Sequence, residues 1–236
     1  MTESDLLLQA GHRERLRQKL LDGNLTSYEK LELLLTFAIP RRDVRPLARR
    51  LINKYHSLYA IWSAPVEELM AFPGVGRSTA ILLHLVRELL LVTHMERLVD
   101  GTVLSDPRVI KDYCRQLLYA SPVEEFHVLY LGADYRLISD ELHSRGTIDE
   151  SGAYPREIAR RAMALNALSV ILVHNHPMST NNFSDTDIEL TSKIESDLKY
   201  FGIGLFDHLL VLSNGVVYSM REQPWLNKSS FNHSGL

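Results

Sequence analysis

The chain has 236 residues with 45% apolar side chains, which is enough for one large domain or two small ones. Its single cysteine, Cys114, excludes an internal disulfide framework and a cysteine-rich zinc ribbon. The formal net charge of −3 argues against a protein that binds nucleic acid over its whole surface. The charge is uneven, however, because residues 1–100 are net basic and residues 101–236 are net acidic.

The sequence has no feature of a secreted or membrane protein. The first residues lack a basic segment followed by an apolar one. Three polar residues interrupt the longest apolar run, namely His84, Arg87 and Glu88, so no run is expected to reach membrane-spanning length. We therefore expect a soluble, cytoplasmic protein that does not associate with membranes.

Residues 1–97 are predicted to form an all-α domain. Thr26 and Glu29 have the spacing of a capping box ahead of "KLELLLTFAI". Asp43 is expected to cap the helix "VRPLARRLINKYH", with Pro46 in its first turn. Helical periodicity also marks "APVEELMAF" and "STAILLHLVRELLLVTHM".

The turn between these last two helices, "FPGVGRSTA", resembles the hairpin of a helix-hairpin-helix. Gly74 and Gly76 permit a tight turn whose N–H groups can approach a phosphate at the start of the next helix. Arg77 and Ser78 could add contacts. A basic cluster earlier in the chain could neutralise DNA phosphates without reading sequence, and it comprises Arg41, Arg42, Arg45, Arg49, Arg50 and Lys54. A structural turn beside a solvated basic helix remains the alternative.

The second half of the chain has mixed periodicity. Residues 98–105 lack a helical pattern and are predicted to be a linker, and residues 221–236 are predicted to be a loose tail. Between them, residues 106–220 alternate helices with strands, which indicates an α/β layer structure. The signals are a helix capped by Asp106, a strand pair turned at Ala133–Asp134, a helix from Pro155, the strand "LSVILVH", the helix "SDTDIELTSKIESDLKYFG" and a hairpin turned at Asn214-Gly215.

The segment "VHNHPMSTNNFSDTD" carries two histidines at the end of a predicted strand. The strand period of two places His174 and His176 on one face. Asp187 falls in the first turn of the next helix, so the loop can return its carboxylate to the imidazoles. Three such ligands leave a fourth tetrahedral position for water, which is typical of catalytic zinc and makes that water a nucleophile near neutral pH. The alternative is a polar loop beside a helix-start carboxylate.

The order His174-x-His176-Pro177, six residues, Ser184, two residues, Asp187 resembles the zinc signature of the JAB/MPN metalloprotease superfamily. More closely, the chain is similar to the RadC family of bacterial proteins, through "SRGTIDESGAYPREIARRAMALNALSVILVHNHP" and "FDHLLVL". The resemblance covers nearly the whole chain. It implies a JAB/MPN deaminase-like α/β domain, a single Zn²⁺ and ligands at His174, His176 and Asp187. The loop "MSTNNF" departs from the Gly- and Pro-rich loop of the family but keeps its length.

The superfamily uses a glutamate at the start of an early strand as general base, and here that strand begins in "VEEFHVLYL". Glu124 and Glu125 point to opposite faces, and the Glu-x-Phe spacing favours Glu124; both could also be solvated charges. The resemblance implies that Ser184 polarises the scissile carbonyl, although Ser184 also fits a helix N-cap. Asp207 and His208 could orient a metal ligand from behind.

The sequence therefore predicts an all-α helix-hairpin-helix domain followed by a JAB/MPN-like zinc domain. The leading function is zinc-dependent hydrolysis of a peptide or isopeptide bond in a protein or peptide substrate, with Glu124 as base and Ser184 supporting the tetrahedral intermediate. The alternative is a DNA-binding repair or recombination factor with a structural or regulatory zinc domain. Phosphodiester cleavage is less expected, because one metal and one base suit acyl chemistry better than two-metal phosphoryl transfer.

Overall fold

The computed structural model describes residues 3–101, 106–119, 121–146 and 155–223. It divides into two compact units, Met1–Leu89 and Leu90–Leu236. Three segments used in the sequence analysis fall outside the described residues. They are 102–105 of the linker, 147–154 of the RadC-like core and 224–236 of the tail.

The described part of the N-terminal unit consists of helices and turns. Its helices are α1 (Glu3–Leu21), α2 (Ser27–Ala38), α3 (Arg45–Tyr55), α4 (Leu58–Ser63), α5 (Val66–Ala71) and the first part of α6 (Arg77–Asp100). Helices α5 and α6 flank the Pro-Gly-x-Gly turn, in the order that a helix-hairpin-helix requires, while the assignment of the whole domain to that class stays a prediction. The fully buried leucines Leu31, Leu35, Leu51, Leu69 and Leu83 lie in these helices.

Two helix starts in this unit were predicted from capping residues. The capping box is present at α2, where Thr26 and Glu29 each accept the other's backbone N–H. At α3 the prediction is wrong by one residue. Val44 is the N-cap, and the carboxylate of Asp43 instead accepts the N–H of Arg45 at 3.0 Å. Asp43 therefore precedes the N-cap by one residue, and its carboxylate accepts a backbone N–H of the first helical turn.

Helix α6 corrects the linker prediction, because it continues to Asp100 and so includes the first three residues assigned to the linker. Leu98 is 1% exposed and belongs to the core of the C-terminal unit, against which Leu91 also packs. These leucines are seven residues apart, so they share one face of the helix. Burial of Leu98 thus accounts for the continuation of the helix to Asp100, although the polar residues around Leu98 obscure the helical pattern in the sequence.

Helix α6 also corrects the expectation about apolar runs. By length and composition its 24 residues could cross a membrane. One helix of this kind is weak evidence, since core helices of soluble proteins meet the same criterion. Arg87 and Glu88, which form an ion pair at 2.8 Å, lie near the middle of the helix.

The C-terminal unit is a mixed α/β layer structure, as predicted. Its sheet has the strand order β2-β1-β3-β4-β5, in which β3 and β4 are parallel and the other neighbours are antiparallel. The strands are β1 (Glu125–Leu131), β2 (Leu137–Arg145), β3 (Ser169–His176), β4 (Gly204–Leu212) and β5 (Val217–Ser219). The helices are α7 (Pro107–Leu118), α8 (Pro155–Ala164) and α9 (Asp185–Lys199), and a 3₁₀ turn spans Met220–Glu222. The first two residues of the predicted loose tail are therefore ordered.

Helices cover both faces of this sheet, and the alternation of side chains decides which residues reach each helix layer. Ile171 and Val173 of β3 belong to a core with residues of α7, while Val170 and Leu172 belong to a core with residues of α8 and α9. The side chain of His174 has the same parity as Leu172. The histidines at the end of β3 therefore face the α9 side of the sheet.

Candidate metal centre

The two histidines lie at the end of β3, where the strand leaves the sheet. His174 is still paired with Phe126 of β1 and Leu210 of β4, and its side chain is 1% exposed. His176 is the last residue of the strand and is half-buried. The ladders on both sides of β3 thus fix the backbone of His174, and pairing with Leu212 of β4 holds that of His176.

Asp187 reaches the histidines from α9 because of how that helix begins. Ser184 is the N-cap, and its hydroxyl accepts the N–H of Asp187, while the Asp187 carboxylate accepts the N–H of Ser184 at 2.7 Å. This capping box holds the side chain of Asp187 at the first turn of α9. The same carboxylate faces both imidazoles, so the loop "MSTNNF" does return the third donor to the strand end, as its length predicts.

The donor atoms of these three residues converge on one point. Asp187 Oδ1 lies 3.1 Å from His174 Nε2, and Asp187 Oδ2 lies 3.5 Å from His176 Nε2. The two Nε2 atoms are 3.1 Å apart. Among the described residues this is the one group of His, Cys, Asp or Glu with a metal-like arrangement, and its donor atoms lie within 4.8 Å of one another. Two imidazole nitrogens and a carboxylate oxygen form a donor set that fits zinc.

The electrostatics of the site also fit a cation. Burial raises the pKa of the Asp187 carboxyl, but the adjacent imidazoles of His174 and His176 outweigh it and hold that pKa below its ordinary value. The pKa of His176 is raised, chiefly by its hydrogen bond with Asp187 and further by the charge of Glu124. A negative carboxylate beside two imidazoles needs a positive charge between them, which either a proton or a metal ion supplies.

A second layer of residues lies behind His174. His208 Nε2 is 2.8 Å from His174 Nδ1, and His208 Nδ1 is 2.6 Å from the hydroxyl of Thr191 on α9. Burial lowers the pKa of His208 far below its ordinary value, so this imidazole is neutral. The expectation that His208 adjoins a ligand therefore agrees with the structure.

Asp207, the neighbour of His208, faces the other way. Its carboxylate accepts the Ser219 hydroxyl at 2.6 Å and the backbone N–H of Arg221 at 3.2 Å. Burial raises its pKa to about 6. The strand period of two explains why adjacent residues on β4 serve opposite faces of the sheet. Asp207 thus joins β4 to the 3₁₀ turn and has no part in orienting a ligand.

Glu124 and Glu125 have separate environments. Glu125 Oε1 receives the Ser121 hydroxyl at 3.0 Å and pairs with Arg145 at 3.1 Å, on the α7 side of the sheet. Glu124 precedes β1 by one residue, and continuing the register from the Phe126–His174 pair places it opposite His176. It also lines the groove described below. Of the two candidates for the base, Glu124 is thus on the side of the metal centre.

Asn175 is a feature of the site that the sequence analysis missed. Its side chain is 2% exposed and lies on the opposite face from the histidines that flank it. The amide oxygen accepts the N–H of Glu125 at 2.8 Å, and the amide nitrogen donates to the carbonyl of Val123 at 3.1 Å. These two bonds bracket the backbone of Glu124. The available signal was an amide side chain between the two histidines of a strand with a buried apolar run, where a buried polar group must have partners.

The hydroxyl of Ser184 is used within its own helix turn. It accepts the backbone N–H of Asp187 at 3.2 Å and donates to Asp187 Oδ2 at 2.7 Å. The capping interpretation of Ser184 is therefore present in the structure. Ser184 is nevertheless exposed and lines the groove beside His176. Its position therefore agrees with the predicted role in the groove as well as with capping.

An open groove of about 1030 Å³ runs past the candidate metal centre. One side is formed by the loop after Pro177, which is anchored where Ser213 donates to the Ser179 carbonyl and where Phe183 is buried against His174. The groove contains two carboxylates and, among the described residues, no lysine or arginine. Its lining residues are Pro122, Val123, Glu124, Gly146, His176, Pro177, Met178, Ser179, Asn181, Asn182, Phe183, Ser184 and Asp185.

Comparisons with known proteins agree with this geometry. The family model described as the RadC-like JAB domain matches residues 104–225, just over half of the chain. The chain belongs to the RadC family. It is 37% identical to UPF0758 protein FN0909 of Fusobacterium nucleatum, over 94% of this chain and 99% of that protein. It is 38% identical to UPF0758 protein SPO0054 of Ruegeria pomeroyi, over 91% of this chain and 97% of that protein.

Membership in the RadC family is consistent with a metal site at His174, His176 and Asp187, because JAB-type domains are generally metal-dependent. The curated relatives carry family names that state no activity.

The predicted DNA-binding residues lie in the N-terminal unit. Gly74 has a φ of +94°, a left-handed conformation that favours glycine, and the Arg50 guanidinium donates to the neighbouring Pro73 carbonyl at 2.9 Å. Two of the basic residues are paired with acids, Arg45 with Asp43 and Lys54 with Glu68. The remaining predicted contacts are exposed at the surface of the unit, namely Arg41, Arg42, Arg49, Gly76, Arg77 and Ser78.

Proposed function

We propose that this RadC-family protein is a zinc-dependent hydrolase of peptide or isopeptide bonds. The observation that carries the proposal is the convergence of His174, His176 and Asp187 on one point, beside Glu124 and at the edge of an open groove. A zinc ion held there would polarise an amide carbonyl and supply a water-derived nucleophile near neutral pH. The three ligands leave one tetrahedral position for that chemistry.

In this proposal Glu124 accepts the proton from the attacking water and passes it to the leaving nitrogen. Its position opposite His176 and on the groove side of β1 favours it over Glu125, which is engaged by Ser121 and Arg145. Ser184 has a hydroxyl at the groove and would support the developing oxyanion. To do so it would have to release its hydrogen bond to Asp187 Oδ2. Binding of Asp187 to zinc would weaken that hydrogen bond.

The lining of the groove favours an amide substrate over a phosphodiester. Cleavage sites for phosphodiesters neutralise phosphate with basic side chains or with a second metal ion. Here the described lining has Glu124 and Asp185 but no lysine or arginine. The polar side chains of Ser179, Asn181 and Asn182 offer the donors and acceptors that a peptide backbone requires.

The test is a comparison of the zinc-loaded full chain with its Glu124→Gln variant on a mixture of peptides and isopeptide-linked peptides, with products identified by mass spectrometry. We expect cleavage by the wild type and its loss in the variant at equal zinc content. Glu125→Gln is the matched control and should retain activity. No new products from the zinc-loaded wild type, or equal activity in Glu124→Gln, would contradict the proposal.

A second candidate function is weak, sequence-independent binding of DNA by the N-terminal unit. The observation in its favour is that Arg50 ties helix α3 to the Pro-Gly-x-Gly turn, which makes the exposed basic residues and the turn one surface. Arg49 is also exposed there. A gel-shift assay with the full chain and duplex DNA should show retardation that weakens steeply with salt. An absence of retardation even at low ionic strength would reject it.

A further inference from the structure

A series of three hydrogen bonds connects two of the proposed metal ligands through Thr191 and His208, which lie outside the donor set. It starts at the backbone carbonyl of Asp187, which accepts the hydroxyl of Thr191 one turn later in α9. The Thr191 Oγ1 atom is 2.6 Å from His208 Nδ1, and His208 Nε2 is 2.8 Å from His174 Nδ1. Thr191, His208 and His174 are 3%, 0% and 1% exposed. Solvent therefore cannot substitute for any member of the series.

The first hydrogen bond of this series determines which atom is the donor in each of the others. A carbonyl oxygen can only accept, so the single hydroxyl proton of Thr191 is directed to Asp187. The Thr191 oxygen must then accept from His208, which places the His208 proton on Nδ1. A neutral imidazole carries one proton, so His208 Nε2 is an acceptor. His174 therefore donates from Nδ1, and its Nε2 carries the lone pair that faces Asp187 and His176.

The reverse direction is disfavoured by the same geometry. It would direct the Thr191 proton to His208 and leave two buried acceptor oxygens, Thr191 Oγ1 and the Asp187 carbonyl, facing each other without a proton. It would also place a proton on His174 Nε2, which removes the lone pair that a metal ligand needs. Of the two directions, only the first leaves the lone pair of His174 Nε2 free for a metal.

We propose that Thr191 and His208 are positioning residues that fix the tautomer of His174, with its Nε2 lone pair directed at the metal centre. Helix α9 then has two functions, since it provides the ligand Asp187 and, four residues later, the hydroxyl that orients the ligand His174. This inference rests on the metal site of the proposed function and is independent of the reaction. Partners of this kind around metal-bound histidines commonly contribute roughly 10- to 100-fold in affinity.

The first test is zinc affinity, measured by competition with a chromophoric chelator on the full chain. Thr191→Val keeps the shape of the side chain but removes the hydroxyl, and we expect its zinc affinity to fall by about 10- to 100-fold. Thr191→Ser restores a hydroxyl and should bind zinc within about threefold of the wild type, which is less than the smallest loss expected for Thr191→Val. Ser192→Ala, at the exposed next position of α9, is the matched control and should not change the affinity.

The second test reads the tautomer directly, by ¹⁵N-detected imidazole NMR of the metal-free protein at a pH where its histidines are neutral. We expect His174 in the wild type to be protonated at Nδ1, and a mixture of tautomers in Thr191→Val. Protonation of wild-type His174 at Nε2, or wild-type zinc affinity in Thr191→Val, would overturn the inference. If the wild type binds no zinc, the proposed function fails, whereas the NMR result still decides the role of Thr191 and His208.

Discussion

The amide of Asn175 offers a sharp test of how the general base is held. Asn175→Ala would leave two buried backbone groups, the N–H of Glu125 and the carbonyl of Val123, without their partner. A buried polar group that loses its hydrogen bond costs about 1–3 kcal/mol, so we expect a destabilisation of about 2–6 kcal/mol. Asn175→Asp keeps the acceptor for Glu125 but turns a carboxylate towards the carbonyl of Val123. Its expected destabilisation is about 1–3 kcal/mol, from the lost bond alone.

The two variants should also affect catalysis without affecting the metal. The backbone of His174 is held by the ladders to β1 and β4, so zinc content should stay near that of the wild type. The backbone of Glu124, in contrast, loses one or both of the bonds that bracket it. A misplacement of about 1 Å in a catalytic group can lower turnover by about 100-fold, so we expect kcat to fall by up to that factor with little change in KM.

Three measurements separate this account from a general weakening of the fold. Urea unfolding gives the stability, metal analysis gives the zinc content, and peptide cleavage gives kcat. Asn53→Asp, an exposed change of the same chemistry on α3, should leave all three unchanged. If Asn175→Asp keeps the stability and turnover of the wild type, the bracketing of Glu124 by Asn175 is refuted. A loss of zinc equal to the loss of turnover would assign Asn175 to the metal site instead.

Three further predictions concern the other named residues. Glu124→Gln should retain zinc and lose activity by about 10²- to 10⁴-fold, while a loss below tenfold would place the base elsewhere. Ser184→Gly should lower stability by only roughly a few tenths of a kcal/mol, because glycine is a tolerable N-cap. If Ser184→Gly nevertheless abolishes cleavage, the oxyanion role holds, and unchanged cleavage limits Ser184 to capping. Replacing Arg49 and Arg50 by alanine should reduce the slope of log binding constant against log salt concentration by about 0.9 for each phosphate that is no longer neutralised. An unchanged slope in the gel-shift assay would exclude these two arginines as phosphate contacts.

Local signals in the sequence were sufficient for most element boundaries of the C-terminal unit. Asp106 caps α7 by accepting the N–H of Arg108, and Pro155 opens α8, as predicted. The hairpin of β4 and β5 turns at Asn214-Gly215, where Gly215 has a φ of +80°. These features depend on residues a few positions apart, so a single sequence contains the information that specifies them.

Features that depend on distant residues were not accessible in this way. Nothing local to β1 specifies that β3 pairs with it and that β2 occupies the edge. Burial of Leu98 in a core shared with α7 extended α6 past its polar residues. The strand period placed His174 and His176 on one face, and the sequence also pointed to His208 as a residue behind a ligand, but only tertiary structure brought Thr191 against His208. The convergence of His174, His176 and Asp187 was thus predictable from spacing and resemblance, whereas the contact between Thr191 and His208 was not.

The proposed function requires that His174, His176 and Asp187 hold one zinc ion, and metal analysis of the purified full chain tests this requirement. Elemental analysis of the wild type should give about one zinc per chain, as three protein ligands and one open position imply. His174→Ala should lose most of that zinc, whereas His143→Ala, which removes an imidazole on β2, should retain it. Equal zinc content in the wild type and His174→Ala, or none in either, would contradict the account.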